Sequence, residues 1–99
     1  MRWFEQWRLH RAAKRYARRL PAALAEAYGA SEEYTPAQVE TAARRLKLNP
    51  RYLSIGYASF VSEKIYEQLK PDLTQPLDRD DARALYARYT PFGAGSFDT

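Results

Sequence analysis

The chain has 99 residues and a net charge of +4, and its composition, 45% hydrophobic and 28% charged, excludes a disordered chain and suits one domain over residues 1–99. It contains no cysteine, which excludes a disulfide scaffold and a thiolate zinc site and fits a cytoplasmic location. No stretch of about 18 apolar residues is present, and basic residues interrupt every apolar candidate near the start, so we expect neither a membrane span nor a secretory signal.

Residues 2–28 predict a long, strongly basic first helix. Residues 1–20 carry seven Arg or Lys and one Glu, a local charge of +6, whereas the rest of the chain carries nine Arg or Lys and eleven Asp or Glu. Positive charge that is confined to one segment indicates contact with an acidic partner. Pro21 lies inside this helix and removes one backbone donor, so we expect a kink or a break near Ala17 to Leu20.

On a helical wheel, the first helix has two different faces. One face is apolar and is predicted to lie in the core: Leu9, Ala13, Tyr16, Leu20 and Leu24. The other face starts with aromatic residues and continues as a basic strip, and we predict that it binds a partner: Trp3, Phe4, Trp7, Arg11, Lys14, Arg15 and Arg18. Tryptophan favours a boundary between apolar and wet surroundings, and basic residues beside it can meet phosphates. The alternative is that the C-terminal tail covers these aromatic rings with Phe92 and Phe97.

The second predicted helix covers residues 36–48. Thr35 is its N-cap, Pro36 is its first residue, and Gln38 completes the spacing of a capping box. The helix is expected to end before Asn49, because a residue that precedes a proline is pushed out of the α region.

Residues 50–69 predict a third helix and residues 78–89 a fourth. The apolar residues of the third helix fall on two faces, so we expect it to be the central and most buried one. Asp78 caps the fourth helix, and the remaining residues, 90–99, have too many turn formers for a helix and are expected to form a flexible tail. The predicted fold class is therefore a small all-α domain of four helices, with a kinked N-terminal helix and a central hydrophobic third helix.

Residues 39–58, VETAARRLKLNPRYLSIGYA, resemble a helix-turn-helix unit. Its small and apolar positions are matched by Ala43, Leu46, Leu48 and Leu53. Two positions depart from the motif, since Lys47 stands where the turn usually has glycine and Gly56 where a large apolar residue usually packs. The resemblance implies nucleic-acid binding, with base or phosphate contacts from Asn49, Arg51 and Ser54.

No catalytic, metal-binding or cofactor motif is found in the sequence. The single histidine, His10, has no carboxylate near it in sequence and is expected at the surface. We therefore expect no enzyme activity, no cofactor and no small-molecule substrate. The leading hypothesis is a non-enzymatic binding or adaptor protein whose basic aromatic helix face contacts an acidic protein surface. Peripheral binding to an anionic membrane surface, and nucleic-acid binding by the helix-turn-helix-like segment, are the alternatives.

Overall fold

The computed structural model describes the backbone of residues 2–90 and the side chains of residues 4–90. Over this range the fold is all-helical and has no strand, which confirms the predicted class. The five α-helices, one more than predicted, are α1 (Arg2–Tyr28), α2 (Pro36–Arg45), α3 (Leu53–Phe60), α4 (Glu63–Leu69) and α5 (Arg79–Tyr89). Single 3₁₀ turns precede α3 and follow α4, at Pro50–Tyr52 and Lys70–Asp72. The predicted tail lies outside the described residues from position 91 onward.

Helix α1 is continuous, and its apolar face lies in the core as predicted. Tyr16, Leu20 and Leu24 are fully buried, whereas Leu9 is partly buried and packs at the edge. The helix runs through Pro21 without interruption, so the predicted break does not occur, and the alternative of a kink remains a prediction. The helix ends at Tyr28. The next residue, Gly29, adopts a φ of 89°, a left-handed conformation that costs glycine little.

Helix α2 begins with the predicted capping box and ends earlier than predicted. The Thr35 hydroxyl accepts a hydrogen bond from the Gln38 N–H at 3.1 Å, and the Gln38 side chain accepts one from the Thr35 N–H at 3.0 Å. The helix ends at Arg45 rather than at residue 48, because the backbone turns left-handed at Lys47, which has a φ of 61°.

The third helix predicted over residues 50–69 is interrupted, and this corrects the sequence prediction. Val61 is extended, with φ −103° and ψ 162°, and Ser62 starts α4 as its N-cap by accepting a hydrogen bond from the Ile65 N–H at 3.3 Å. Serine favours such caps over helix interiors because its hydroxyl competes for backbone donors. The break leaves the Phe60 carbonyl free to accept a hydrogen bond from the Tyr34 N–H at 2.7 Å.

Helix α3 is enclosed by its neighbours and contacts α1, α2, α4 and α5. All of residues 54–58 are buried. Gly56 makes the close approach to α1 and α2 possible, since a Cβ there would lie 3.1 Å from Leu20 Cδ2 and 3.2 Å from Val39 Cγ1. The α5 side of the core is closed by edge-to-face contacts of Phe60 with Tyr34 and Tyr86.

Candidate functional site

An open groove of about 380 Å³ lies between α1 and the turn that joins α2 to α3, and we call it the basic groove. One wall belongs to α1 and consists of Trp7, Arg8, Arg11, Ala12, Arg15 and Tyr16. The other wall belongs to the turn and the start of the next helical segment, and it consists of Lys47, Leu48, Asn49, Arg51 and Tyr52. The site therefore exists only when two segments far apart in sequence pack together.

The charge of the basic groove has one sign. Its five charged side chains are all cationic and all exposed: Arg8, Arg11, Arg15, Lys47 and Arg51. No Asp or Glu is among the described residues that line it. Like charges that face one another across a concave surface reinforce their potential, so the groove attracts anions.

Trp7 gives the α1 wall an exposed aromatic surface. The side chain is 55% exposed, although tryptophan is usually well buried. The guanidinium carbon of Arg11 lies 5.3 Å from the centroid of the Trp7 ring, which is a cation–π contact. The contact places a cation over an exposed ring in the lining of the groove.

Tyr16 joins the two walls at the floor of the groove. The residue is fully buried, and its hydroxyl donates a hydrogen bond to the main-chain carbonyl of Asn49 at 2.8 Å. Burial raises the pKa of Tyr16 well above its usual range, and the nearby Tyr57 adds to the increase. The hydroxyl therefore stays protonated and keeps its donor role even at an alkaline pH where an exposed tyrosine ionises.

The α2–α3 turn is held by hydrogen bonds at the C-terminal end of α2. The N–H of Leu48 donates to the Ala43 carbonyl at 3.0 Å, and the N–H of Lys47 donates to the Arg44 carbonyl at 3.0 Å. This pattern is the Schellman motif, whose left-handed position is usually occupied by glycine. Here that position is Lys47, so the groove carries a cation at a site where the backbone favours a residue without a side chain.

The predicted binding residues divide into three groups. Three of them line the basic groove: Trp7, Arg11 and Arg15. Three others are exposed but lie outside its lining: Phe4, Lys14 and Arg18. The side chain of Trp3 lies outside the described residues, as do Phe92 and Phe97, which the alternative interpretation placed over the aromatic rings.

The opposite wall was largely missed by the sequence analysis. Asn49 and Arg51 were selected only as nucleic-acid contacts, whereas the structure places them across the groove from the basic face of α1. Arg8 was missed although it lies beside Trp7 in the basic segment. Lys47 had been noted only as a departure from the helix-turn-helix pattern, and its occupation of a glycine position was the available signal.

His10 is half-buried, although its sequence surroundings predicted a position at the surface. Its Nδ1 lies 2.7 Å from the Tyr89 hydroxyl, and the two rings meet edge-to-face with centroids 5.8 Å apart. The pair links α1 to α5 and has a role in holding these helices together.

Among the described helices, none has the combination of length and hydrophobicity that crossing a bilayer requires. No curated protein and no solved structure matches the chain. A family model does match it, over residues 1–93, and this range contains both walls of the basic groove. The chain therefore belongs to the family described as "Family of unknown function (DUF6559)".

Proposed function

We propose that this protein is a non-enzymatic binding or adaptor protein whose basic groove receives an acidic segment of a partner protein. The observation that carries the proposal is the meeting of two cationic walls around the half-exposed ring of Trp7. A cytoplasmic location, which the lack of cysteine suits, belongs to the same proposal.

The proposed affinity comes from several contacts acting together. A single exposed ion pair contributes only about 0.2–1 kcal/mol, because water and salt screen it. Five cations that share one opening raise the local concentration of an acidic segment and allow several such pairs at once. Covering Trp7 adds an apolar contribution, since the ring is more than half exposed in the free protein. Aromatic residues and arginine are also the types that most often dominate the energy of protein interfaces.

The shape of the site favours an inserted chain segment over the two alternatives. In the helix-turn-helix-like segment, residues 54–58 are buried, so α3 offers little surface to a DNA major groove. A bilayer surface is broad and flat, whereas the cations here line the two walls of a concave groove. An extended acidic peptide can enter such a groove and meet both walls.

The proposal is tested with a fluorescently labelled oligoglutamate peptide in an anisotropy titration at near-physiological salt. Arg15→Glu and Lys47→Glu, one in each wall, are each expected to weaken binding by about tenfold, since each replaces an attraction with a repulsion. Arg19→Glu is the matched control, because Arg19 is exposed on the same helix but does not line the groove.

The control separates a local site from general charge attraction. All three variants lower the net charge by the same amount, so Arg19→Glu is expected to change affinity by less than about twofold. If the three variants weaken binding equally, the peptide responds to overall charge and the groove is not its site. Circular dichroism spectra check that each variant keeps its helical fold.

A further inference from the structure

We infer that the acidic group selected by the basic groove is a phosphate monoester, carried by a phosphorylated side chain of the partner segment. This inference rests on the proposed function and names the chemistry that the same site recognises. Four features of the groove support it: the density of its charge, the type of its donors, the absence of neutralising partners among the described residues and the fixed backbone at Lys47.

The basic groove concentrates more positive charge than single carboxylates can match. Its five cations share one opening. Side chains on one face of an extended peptide are spaced about 7 Å apart, so neighbouring carboxylates cannot be concentrated at one point of the groove. A phosphate monoester brings a charge of about −1.5 to −2 and three acceptor oxygens on one side chain. It therefore meets five cations more fully than a single Asp or Glu.

The donors are of the type that suits phosphate. Four of the five cations are arginines, whose planar forks can donate two parallel hydrogen bonds to phosphate oxygens. The fifth, Lys47, provides a compact charge on the opposite wall. Clusters of arginine are the recurring means by which proteins recognise phosphorylated segments.

The groove cations lack neutralising partners within the described residues. The ion pair found there joins Arg44 to Glu40 on the exposed side of α2, and it involves none of the five cations of the groove. Arg11 is oriented by the Trp7 ring, which leaves its charge uncompensated. Such a cluster repels itself until an anion binds, so an ion with nearly two negative charges is favoured most.

The backbone at Lys47 is held in place before any ligand arrives. Its left-handed backbone is held by the hydrogen bonds of the Schellman motif, and the next turn starts where the Asn49 side chain accepts a hydrogen bond from the Arg51 N–H at 3.0 Å. The Tyr16 hydroxyl ties the same segment to α1. A strained residue that is held firmly at a cationic site is consistent with a role for its side chain in binding.

The test compares three heptapeptides that differ only in the central residue, which is phosphoserine, glutamate or serine. Binding is followed by NMR of the ¹⁵N-labelled full chain, through the arginine Nε–H signals. The phosphoserine peptide is expected to bind at least about tenfold more tightly than the glutamate peptide, since it adds charge and acceptors at one point. Inorganic phosphate is expected to shift the signals of Arg11, Arg15 and Arg51, whereas free glutamate shifts them less.

The variants extend the test to the two walls. Arg15→Glu and Lys47→Glu are expected to remove the preference for phosphoserine over glutamate, whereas Arg19→Glu keeps it.

Equal binding of the phosphoserine and glutamate peptides would overturn this inference and leave the proposed function in place. If oligoglutamate and phosphoserine peptides both fail to bind and phosphate moves no groove signal, both proposals fall. Tighter binding to phosphatidic acid vesicles or single-stranded RNA than to the phosphopeptide, lost in Arg15→Glu, would also overturn the inference.

Discussion

Replacing Lys47 by glycine is expected to raise the stability of the protein and to weaken the binding of acidic peptides to its groove. Lys47 has a φ of 61°, and the left-handed conformation costs a residue with a Cβ about 1–2 kcal/mol. Glycine removes this cost but loses about 0.4–1 kcal/mol more conformational entropy on folding. Taking the middle of each range, the net gain in the free energy of unfolding is about 0.8 kcal/mol, which raises the midpoint of thermal unfolding by about 3–6 °C in a domain of this size.

Lys47→Ala separates the backbone effect from the charge effect. Alanine keeps the Cβ and its strain but removes the ammonium group, as glycine does, so the difference in stability between the two variants reports the backbone effect alone. Both variants are expected to bind the acidic peptide about three- to tenfold more weakly than the unchanged protein, because each removes one cation from the groove. Thermal and urea unfolding by circular dichroism measure the first effect, and anisotropy measures the second. Equal stability of the glycine and alanine variants would refute the argument from strain.

Three further predictions concern the core. Gly56→Ala places a Cβ 3.1 Å from Leu20 Cδ2, so overcrowding should exceed the gain in helix propensity and lower the free energy of unfolding by about 1–2 kcal/mol; a stabilised variant would contradict this. Ser54→Ala should raise the free energy of unfolding, measured with urea, by about 1 kcal/mol, because the buried Ser54 hydroxyl has no hydrogen-bond partner in the described part of the chain. A lower free energy of unfolding would show that this hydroxyl is hydrogen-bonded. Burial raises the pKa of Tyr16 and Tyr86 above the usual value near 10, so the unfolded chain releases these protons first. Stability is therefore expected to be independent of these groups below about pH 9 and to fall above about pH 10, and ultraviolet titration would refute this if all eight tyrosines ionised near pH 10 in the folded protein.

Local signals were sufficient to predict where α2 and α5 begin. The capping box of Thr35 and Gln38 and the cap at Asp78 depend only on residues within three positions of one another, and the structure shows both. The inward face of α1 was predictable for the same reason, since its period follows from helix geometry alone. The position of Trp7 opposite Tyr16 followed from that same period, whereas its exposure did not, because the period alone leaves open whether the C-terminal tail covers the ring.

Features that depend on distant contacts could not be predicted in this way. The basic groove needs Asn49 to approach Tyr16, 33 residues away, and the spacing within α1 does not reveal which segment packs against it. The division of the predicted third helix depends on Ser62 and on the hydrogen bond between Tyr34 and Phe60, which come from different parts of the chain. The apolar residues of 50–69 fall on two faces, and interpreting this as central burial of one continuous helix concealed the break.

The eight-residue length of α3 has a consequence for the order in which the molecule assembles. Isolated helices shorter than about 12–15 residues are barely stable in water, so this segment cannot act as an early nucleus by itself. It also contacts four other helices, which means that its native surroundings arise only as those helices converge. The transition state is thus expected to combine a partly formed α1 with long-range contacts to the centre, and to be more cooperative than the high helix content suggests.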